Sequence, residues 1–421
     1  MTLGRGLGVL TSAIVAVFLV IGCKAEAPGT EGPARPPKMP TFESDLAFLT
    51  QHTKIVILTG PQGTAKVAVA PVYQGRVMTS TTGGSDAPSF GWLGRAAIES
   101  GTRQPHMNVF GGEDRFWLGP EGGQYALYFN KGDPFDLDHW QVPDAFDWGA
   151  WDIANQTPAS VAFRKHMSLV NYSGTRFDVD VDRTVKLLSD QEVATVLGIT
   201  PGSDVATVAF ESANTVTNAG KQEWTPPSGL ISIWILGQLA PSDSTTIAIP
   251  YNADPANSSA PVVNDAYFGK VPSDRLIIKG PMIYFRGDGQ YRSKIGLPPA
   301  RALPLAASYD AAGHVLTLIQ YNRPAGADRY VNSMWELQRD PYKGDVINSY
   351  NDGPSAPGKP PLGPFYELET SSPALSLAPG ERYTHVHRTF HFVGADGELD
   401  KLARTTLHVG LADITGALAN R

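Results

Sequence analysis

A run of charged and aromatic side chains between residues 110 and 121 could bind a polar ligand. The sequence FGGEDRFWLGPE contains Glu113, Asp114, Arg115 and Trp117 directly after two glycines. Arginine and carboxylate groups can hold hydroxyl groups, and an indole ring can stack on the apolar face of a sugar. The glycines would let the backbone approach a ligand closely. The structural alternative is that Asp114 and Arg115 form a buried ion pair that braces a turn, with Trp117 in the core.

Histidines are the side chains in this sequence best suited to transfer protons near neutral pH. His106 lies just before Phe110, and His385, His387 and His391 lie in a C-terminal segment. On a regular strand the last three share one face, because side chains alternate with period two. Three imidazoles on one face could hold a metal ion, whereas the structural alternative is a ladder on a solvated face. No second cluster of ligands is visible in the sequence, so we expect neither a metal ion nor a cofactor.

Three further stretches contain side chains suited to a carbohydrate or an ion. GDGQYRSKIGLPPARA contains Arg292 and Lys294, which could contact the carboxylate or sulfate of an acidic sugar or could be surface charge. Residues 135–152, FDLDHWQVPDAFDWGAWD, place tryptophans among acids. That pattern is typical of a loop that stacks on a sugar, or of a plug at the end of a β-sandwich. The oxygen-rich segment 343–354 favours Asx turns, with a calcium site as the alternative.

The composition indicates a mainly β protein. The chain has 421 residues, of which 43 are glycine and 34 are proline, and only 18% are charged. This composition suits many short strands joined by turns. The formal net charge is −7 and the basic residues are scattered, which argues against nucleic acid as a partner.

The N-terminus has the pattern of a lipoprotein signal. Arg5 precedes the apolar run GVLTSAIVAVFLVIG, which leads to Cys23, the only cysteine. The run is short for a transmembrane helix and fits a secretory signal. VIGC matches the bacterial lipobox, in which the thiol takes the lipid, and the alternative is a cleaved signal with an incidental cysteine. Lys24 stands where an inner-membrane retention signal would have aspartate. We therefore expect a lipid anchor at Cys23 in the outer membrane, facing the periplasm, and no thiol left for disulfides or catalysis.

The remaining chain predicts a tether and one folded domain. We expect residues 1–22 to form the signal peptide and the proline-rich residues 23–40 to form a disordered tether. Residues 41–421 are predicted to form a single domain, without internal repeats or linkers. TFESDLAFLTQH, SDQEVATVLGI and DGELDKLARTTLHVG predict short helices. Segments such as TRFDVDVDRTVKLL, QYALYF and YVNSMWELQ predict strands. The predicted fold is all-β and mainly antiparallel, a sandwich with a few short helices.

Two motifs resemble the galactose mutarotase, or aldose 1-epimerase, family. LETSSPALSLAPGERYTHVHRTFHFV, residues 368–393, is similar to the end of that fold, in which a strand carrying LET is followed by L-x-PGE-x-Y-x-H and a last strand with alternating aromatics. FGGEDRFW is similar to the family's first site motif, His-Gly-Gly followed by an acid and tryptophan. The resemblance, to a branch of bacterial lipoproteins, implies a β-supersandwich of the galactose mutarotase type with a sugar on a concave sheet face.

The resemblance also implies a general base and leaves the acid open. Glu369 occupies the position of the family's base, which takes the anomeric proton while an acid protonates the ring oxygen. Phe110 stands in place of the first family histidine, and the strand GLISIWILGQ, which would carry the second, has Ser232 and Trp234 instead.

Histidines of the last strand are the candidates for the missing acid. If residues 364–370 pair with residues 382–392, His385 or His387 would lie near Glu369. The catalytic residues that we predict are therefore Glu369, His385 and His387.

Together these features predict a lipid-anchored, carbohydrate-active protein with epimerase-like or related sugar chemistry. The predicted substrate-binding residues are Glu113, Asp114, Arg115, Trp117, His106, Arg292 and Lys294. Two alternatives remain open: a non-catalytic glycan-binding lipoprotein, and a polysaccharide lyase whose base removes the proton beside a uronate carboxylate that Arg115 or Arg292 neutralises. The predicted partners are a mono- or oligosaccharide and, through Cys23, the membrane, and we expect a monomer.

Overall fold

The computed structural model describes residues 39–61, 63–84, 86–254 and 259–419. The predicted signal peptide, the lipidation site Cys23 and the tether up to residue 38 lie outside the described residues. From Met39 onward the chain forms one compact unit. No helix within the described ranges has both the length and the apolar character needed to cross a membrane.

The described ranges contain eighteen strands and five α-helices. The strands are β1 (Val56–Thr59), β2 (Lys66–Ala70), β3 (Arg76–Thr81), β4 (Arg115–Gly119), β5 (Asp152–Thr157), β6 (Ser160–Val170), β7 (Arg176–Leu187), β8 (Ala206–Asn218), β9 (Ser232–Leu239), β10 (Thr245–Pro250), β11 (Leu276–Lys279), β12 (Met282–Arg286), β13 (Ser293–Leu297), β14 (Leu305–Asp310), β15 (Val315–Tyr321), β16 (Ile347–Asn351), β17 (Tyr366–Ser371) and β18 (Arg382–Val393). The helices are α1 (Phe42–His52), α2 (Arg95–Ser100), α3 (Asp190–Leu197), α4 (Asp396–Leu407) and α5 (Leu411–Gly416).

These strands form three sheets in which neighbouring strands run antiparallel. The largest has ten strands in the order β11-β12-β10-β14-β15-β18-β8-β7-β6-β5. A five-stranded sheet has the order β13-β16-β17-β9-β4, and a three-stranded sheet has the order β1-β2-β3. The predicted all-β, mainly antiparallel fold with a few short helices is confirmed.

Local sequence signals explain several elements. Side chains of β7 alternate between buried and more exposed positions, as the alternation in residues 175–188 predicts. Helix α1 begins after Thr41, whose hydroxyl accepts a hydrogen bond from the backbone N–H of Ser44 at 3.3 Å. Helix α3 begins with the predicted capping box of Ser189 and Glu192. The three predicted helices are all present.

The five-stranded sheet packs with one face on the ten-stranded sheet. Between them, the hydroxyls of Tyr366 on β17 and Ser308 on β14 form a hydrogen bond of 2.8 Å. One cluster of buried apolar side chains contains residues of both sheets, among them Phe116, Ile233 and Val181. This inner layer leaves the other face of the five-stranded sheet to the loops.

The C-terminal helices determine which face of β18 points inward. Leu399 of α4 and Ile414 of α5 cluster with Phe390 and Phe392, so these phenylalanines face the helices. The alternating residues, which include the three histidines of β18, therefore face the interior of the sandwich.

Two segments predicted as strands are loops. In QYALYF, the side-chain amide of Gln124 donates to the Gln338 carbonyl at 2.9 Å, and the Gln338 N–H donates to the Gln124 side chain at 3.0 Å. Gln338 belongs to YVNSMWELQ, the other segment. A Cβ atom at Gly122 would lie 2.3 Å from the Met334 carbonyl oxygen, so only glycine permits this close approach. The strand predictions are wrong here because the two loops bond to each other instead of to a sheet.

The pairing that would have brought Glu369 to the histidines is also wrong. β17 lies between β16 and β9 in the five-stranded sheet, whereas β18 lies between β15 and β8 in the ten-stranded sheet. The connection 372–381 crosses from one sheet to the other, so Glu369 and His385 belong to different layers.

Candidate functional site

The outer face of the five-stranded sheet carries the two acids of β17. Leu368 belongs to the buried apolar core, and the Thr370 hydroxyl bonds to His385 at 2.8 Å, so both point into the sandwich. Because side chains alternate along a strand, Glu367 and Glu369 point to the opposite face.

Strand register brings cations and tryptophans to the same face, since directly opposed residues of antiparallel strands share a face. The opposed pairs are Glu369 and Leu236, Leu236 and Arg115, Trp234 and Trp117, Glu367 and Tyr350, and Tyr350 and Lys294. The sheet therefore presents a floor of carboxylates flanked by basic and indole side chains.

Loops raise walls around this floor and form a cleft with a cavity volume of about 180 Å³. Trp140 and Trp335 come from loops and join Trp117 and Trp234 of the sheet. The charged side chains that line the cleft are Arg115, Arg292, Lys294, Glu121 and Glu367. Exposed apolar side chains at its edge are Leu137, Phe268 and Leu362.

Glu369 is held at the floor by two donors. Its Oε2 atom accepts a hydrogen bond from Trp234 Nε1 at 2.9 Å and from Lys294 Nζ at 3.0 Å. The ammonium also lies 4.7 Å from the centroid of the Trp234 ring, within cation–π range. Within the described chain, Glu369 Oε1 is buried without a hydrogen-bond partner. One oxygen is therefore fixed by two residues that line the cleft, and Glu369 itself is fully buried next to them.

Glu367 forms the second ion pair of the cleft, with Arg115. Arg115 Nη2 lies 2.6 Å from Glu367 Oε1, and both side chains are buried. The guanidinium carbon also lies 4.2 Å from the centroid of the Trp117 ring. The pair fixes the Trp117 indole on one side, and the ring meets the Trp234 ring edge to face at 5.6 Å on the other.

Burial sets unusual proton affinities in the cleft. It raises the pKa of Glu367 well above the ordinary value, and the repulsion from Glu369 adds to this although Arg115 opposes it. Burial also raises the pKa of Glu121. For Lys294, burial lowers the pKa, but the charges of Glu369, Glu121 and Glu367 outweigh it and raise the pKa overall. The cleft thus favours a charged Lys294 and gives Glu367 a higher pKa than an ordinary glutamate has.

Several buried polar atoms around the cleft lack partners among the described residues. Both amide atoms of Gln238 and the indole Nε1 of Trp117 are in this group, and both residues line the cleft. Leaving a buried polar atom without a hydrogen bond costs about 1–3 kcal/mol. The cleft therefore offers donors and acceptors together.

A smaller cavity of about 10 Å³ adjoins Lys294 and Trp234. There the Tyr267 hydroxyl donates to Asp345 at 2.6 Å, and the Asn348 amide donates to the Tyr267 oxygen at 3.0 Å. Burial raises the pKa of Asp345 to about 6. The oxygen-rich segment 343–354 thus supports the wall of the cleft. Across the described residues, no three His, Cys, Asp or Glu side chains group closely enough to hold a metal ion.

Glu113 and Asp114 do not face the cleft, contrary to the prediction. Asp114 is fully buried and pairs with Arg183 of β7 at 2.6 Å. Glu113 is also buried, and its Oε2 atom lies 2.8 Å from His391 Nε2. The structural alternative of an ion pair between Asp114 and Arg115 is wrong, because Arg115 alternates to the opposite face and Asp114 pairs with Arg183 instead. Trp117 is buried in the main apolar cluster, as that alternative predicts, and it also borders the cleft.

The predicted histidines also lie away from the cleft. His385 and His387 are buried between the sheets, where both bond to the hydroxyl of Thr370 at 2.8 and 2.9 Å. Burial lowers the pKa of His385 to about 3 and that of His387 to about 4, so both are neutral in the fold. They cannot protonate a ligand on the other face. His106 is exposed, and its ring bonds to the Trp140 carbonyl at 2.7 Å, so it supports a cleft wall from outside.

The tryptophan-rich stretch 135–152 divides between both predicted roles. Trp140 lines the cleft, as a loop that stacks on a sugar would require. Trp151 is buried in the main core, and Trp148 packs on a separate apolar cluster near Phe110.

Several cleft residues were missed by the sequence analysis. Glu367 is two residues from Glu369, so period-two alternation alone could have placed it on the same face. Glu121 and Trp335 lie in loops, and no spacing in the sequence indicates that they meet at the cleft. Gln238 could also have been placed on this face, because it lies two residues after Leu236 and four residues after Trp234 on the same strand, β9.

Comparisons with known proteins give a family and several distant structures. A family model described as a family of unknown function, DUF6786, matches residues 40–418. No protein with a curated description matches the chain.

Solved structures similar to the chain share little sequence with it. A putative aldose 1-epimerase from Escherichia coli is 13% identical, with 80% of this chain and 98% of that chain covered and a TM-score of 0.47. A galactose mutarotase-like protein from Lactobacillus casei is 11% identical, with 80% and 100% covered and a TM-score of 0.46. The Slr1438 protein from Synechocystis is 13% identical, with 82% and 96% covered and a TM-score of 0.48. Two of these descriptions name the family that the sequence motifs resemble.

Proposed function

We propose that this protein, a member of the family of unknown function DUF6786, binds a carbohydrate in the cleft on the five-stranded sheet. The observation that carries the proposal is the convergence of Trp117, Trp140, Trp234 and Trp335 on one cleft. Indole rings stack on the apolar faces of sugar rings, while a few fixed polar groups select the orientation.

The polar atoms of the cleft favour a sugar over a purely apolar ligand. Gln238 offers a donor and an acceptor without partners in the described chain, and Trp117 Nε1 offers a donor. Each hydroxyl group of a sugar can both donate and accept a hydrogen bond. A sugar therefore satisfies both kinds of atom, which an apolar ligand would leave unpaired.

Tryptophan substitutions test the binding proposal. Trp335 is half-buried and lines the cleft, whereas Trp148 is half-buried and packs elsewhere, so it is a matched control. In calorimetric titrations with mono- and oligosaccharides, we expect Trp335→Ala to weaken binding about tenfold, equivalent to about 1.4 kcal/mol. Trp148→Ala should bind like the wild type. An equal loss in both variants, or no binding of any sugar by the wild type, would contradict the proposal.

We further propose acid–base chemistry on the bound sugar, with Glu369 as general base. Support comes from Glu369 Oε1, which is buried without a hydrogen-bond partner among the described residues, on a side chain whose other oxygen is bonded to Lys294 and Trp234 of the cleft lining. Glu369 pairs with Lys294, whereas burial raises the pKa of Glu367 to about 8, and two carboxyl groups in unlike environments can act as base and acid. The base would take the anomeric proton while the acid protonates the ring oxygen, so that the ring C–O bond breaks and the sugar opens.

Exchange between anomers, followed by NMR, tests this chemistry on every aldose that binds. Glu369→Gln should lower the rate by about a hundredfold or more, and Glu211→Gln, on the far sheet, should leave it unchanged. If wild type and Glu369→Gln exchange anomers at the same rate, Glu369 is not the base. If a sugar binds but wild type adds nothing to the uncatalysed rate, the protein is a non-catalytic glycan-binding protein. Release of an unsaturated uronate would indicate lyase chemistry instead.

We also propose that Cys23 carries a lipid that anchors the protein to the outer membrane, facing the periplasm. The support is the VIGC motif and the residue that follows it, Lys24. Cys23→Ala should move the full-length protein from the membrane fraction to the soluble periplasm, whereas Ser12→Ala in the apolar run should not. A Cys23→Ala protein that stays in the membrane fraction would refute the anchor.

A further inference from the structure

The three cations that line the cleft differ in whether they have a counter-charge. Arg115 is paired with Glu367 at 2.6 Å, and Lys294 is paired with Glu369 at 3.0 Å. Arg292 forms no ion pair and no side-chain hydrogen bond with any residue that the structure describes. Among the three cations that line the cleft, Arg292 is therefore the one that is not paired with a described carboxylate.

Arg292 is nevertheless held in position. Its guanidinium carbon lies 3.7 Å from the centroid of the Phe268 ring, at the edge of the cleft. Stacking on an aromatic face leaves the N–H groups in the guanidinium plane free to bind an oxyanion. The backbone of Gly353 also packs closely on that of Arg292, since a Cβ atom at Gly353 would lie 2.4 Å from the Arg292 nitrogen. The donors are thus oriented before any ligand arrives.

Two neighbouring acids are bonded to groups other than Arg292. Asp352, on the loop that contains Gly353, is buried and accepts hydrogen bonds of 2.9 Å from both the Tyr350 hydroxyl and the Gly363 N–H. Asp288, which precedes the Arg292 segment, is paired with Arg275. Both carboxylates are therefore bonded to other groups, which leaves the Arg292 guanidinium without a paired acid.

We propose that Arg292 binds the anionic group of an acidic sugar, a carboxylate or a sulfate, at the end of the cleft next to Phe268. This inference rests on the proposed carbohydrate binding. The guanidinium fork can hold either group through two parallel hydrogen bonds. The sugar ring would then extend toward the indole rings of Trp234 and Trp117.

Matched ligands separate charge from shape. Calorimetric titrations would use uronate trisaccharides built from galacturonate, glucuronate, mannuronate or guluronate, the methyl esters of each, neutral trisaccharides, and trisaccharides with a sulfated galactose. We expect the wild type to bind at least one acidic ligand ten times or more tighter than its uncharged counterpart. Tighter binding of a uronate than of its ester assigns the site to a carboxylate, and a preference for the sulfated sugar assigns it to a sulfate. Raised salt should reduce the preference.

Substitutions of Arg292 complete the test. Arg292→Gln should weaken binding of the acidic ligand at least ten times more than binding of its uncharged counterpart, so that the preference is lost, and Arg292→Lys should keep part of the preference. Arg164→Gln, an exposed position on the ten-stranded sheet, is the control and should bind like the wild type. If wild type prefers no acidic ligand, or Arg292→Gln keeps the preference, this inference fails while sugar binding stands. If no sugar of any kind binds, both fail.

Discussion

Replacing Glu369 by glutamine should destabilise the fold through Lys294. The two side chains form a buried pair, with Nζ and Oε2 3.0 Å apart and exposed fractions of 9% and 0%. Glutamine can keep the hydrogen bond from Trp234, but it removes the charge closest to the ammonium. Breaking one partner of a buried ion pair costs about 3–5 kcal/mol. Because Glu121 and Glu367 also act on Lys294, we expect a loss of about 3 kcal/mol.

Thermal melting measures this loss. For the roughly 380 described residues, an unfolding entropy of about 2.1 cal/mol/K per residue gives about 0.8 kcal/mol/K. A loss of about 3 kcal/mol then lowers Tm by about 4 °C. The double variant Glu369→Gln/Lys294→Met should recover most of the loss, since an apolar side chain needs no counter-charge. The reasoning is refuted if the single variant melts like the wild type, or if adding Lys294→Met lowers Tm further.

The remaining predictions concern residues on the interior side of the five-stranded sheet and the cleft exterior. Burial lowers the pKa of His387 to about 4 from the ordinary 6.5. As pH falls from about 6.5 to 4, wild type should therefore lose about 3 kcal/mol relative to His387→Asn, because only the unfolded imidazole takes up a proton. Urea unfolding of both proteins at several pH values measures this loss. A difference in unfolding free energy between them that does not change with pH would contradict the prediction. Asp114→Asn should cost about 3 kcal/mol by urea unfolding, since Arg183 stays buried without its carboxylate, and a neutral effect would contradict that pair. His106→Ala should leave sugar affinity in titrations unchanged, and a tenfold loss would place His106 in the cleft.

Much of the fold could be predicted because its signals are local. The alternation of β7 and the capping box of Ser189 and Glu192 each depend on a few neighbouring residues. The strand prediction for QYALYF is wrong because this segment packs on another loop, to which it is bonded through Gln124 and Gln338. A single sequence contains no signal for that contact.

The site was only partly predictable, for a related reason. Alternation shows that His385 and His387 share a face, but which face is inward depends on the helices that cover Phe390. Alternation likewise places Asp114 and Arg115 on opposite faces, but it does not show which of the two lies in the cleft. Arg292 and Lys294 could be identified as basic residues near a strand, whereas the counter-charges that distinguish them come from distant β17 and its neighbours.

A crystal structure of the protein with a bound oligosaccharide tests the central claim most directly. We expect a sugar ring against the cleft tryptophans, with hydroxyl groups bonded to the Gln238 amide and near Glu369 Oε1. Density for the sugar on any other surface, with the cleft unchanged at ligand concentrations that saturate binding in solution, would contradict the account.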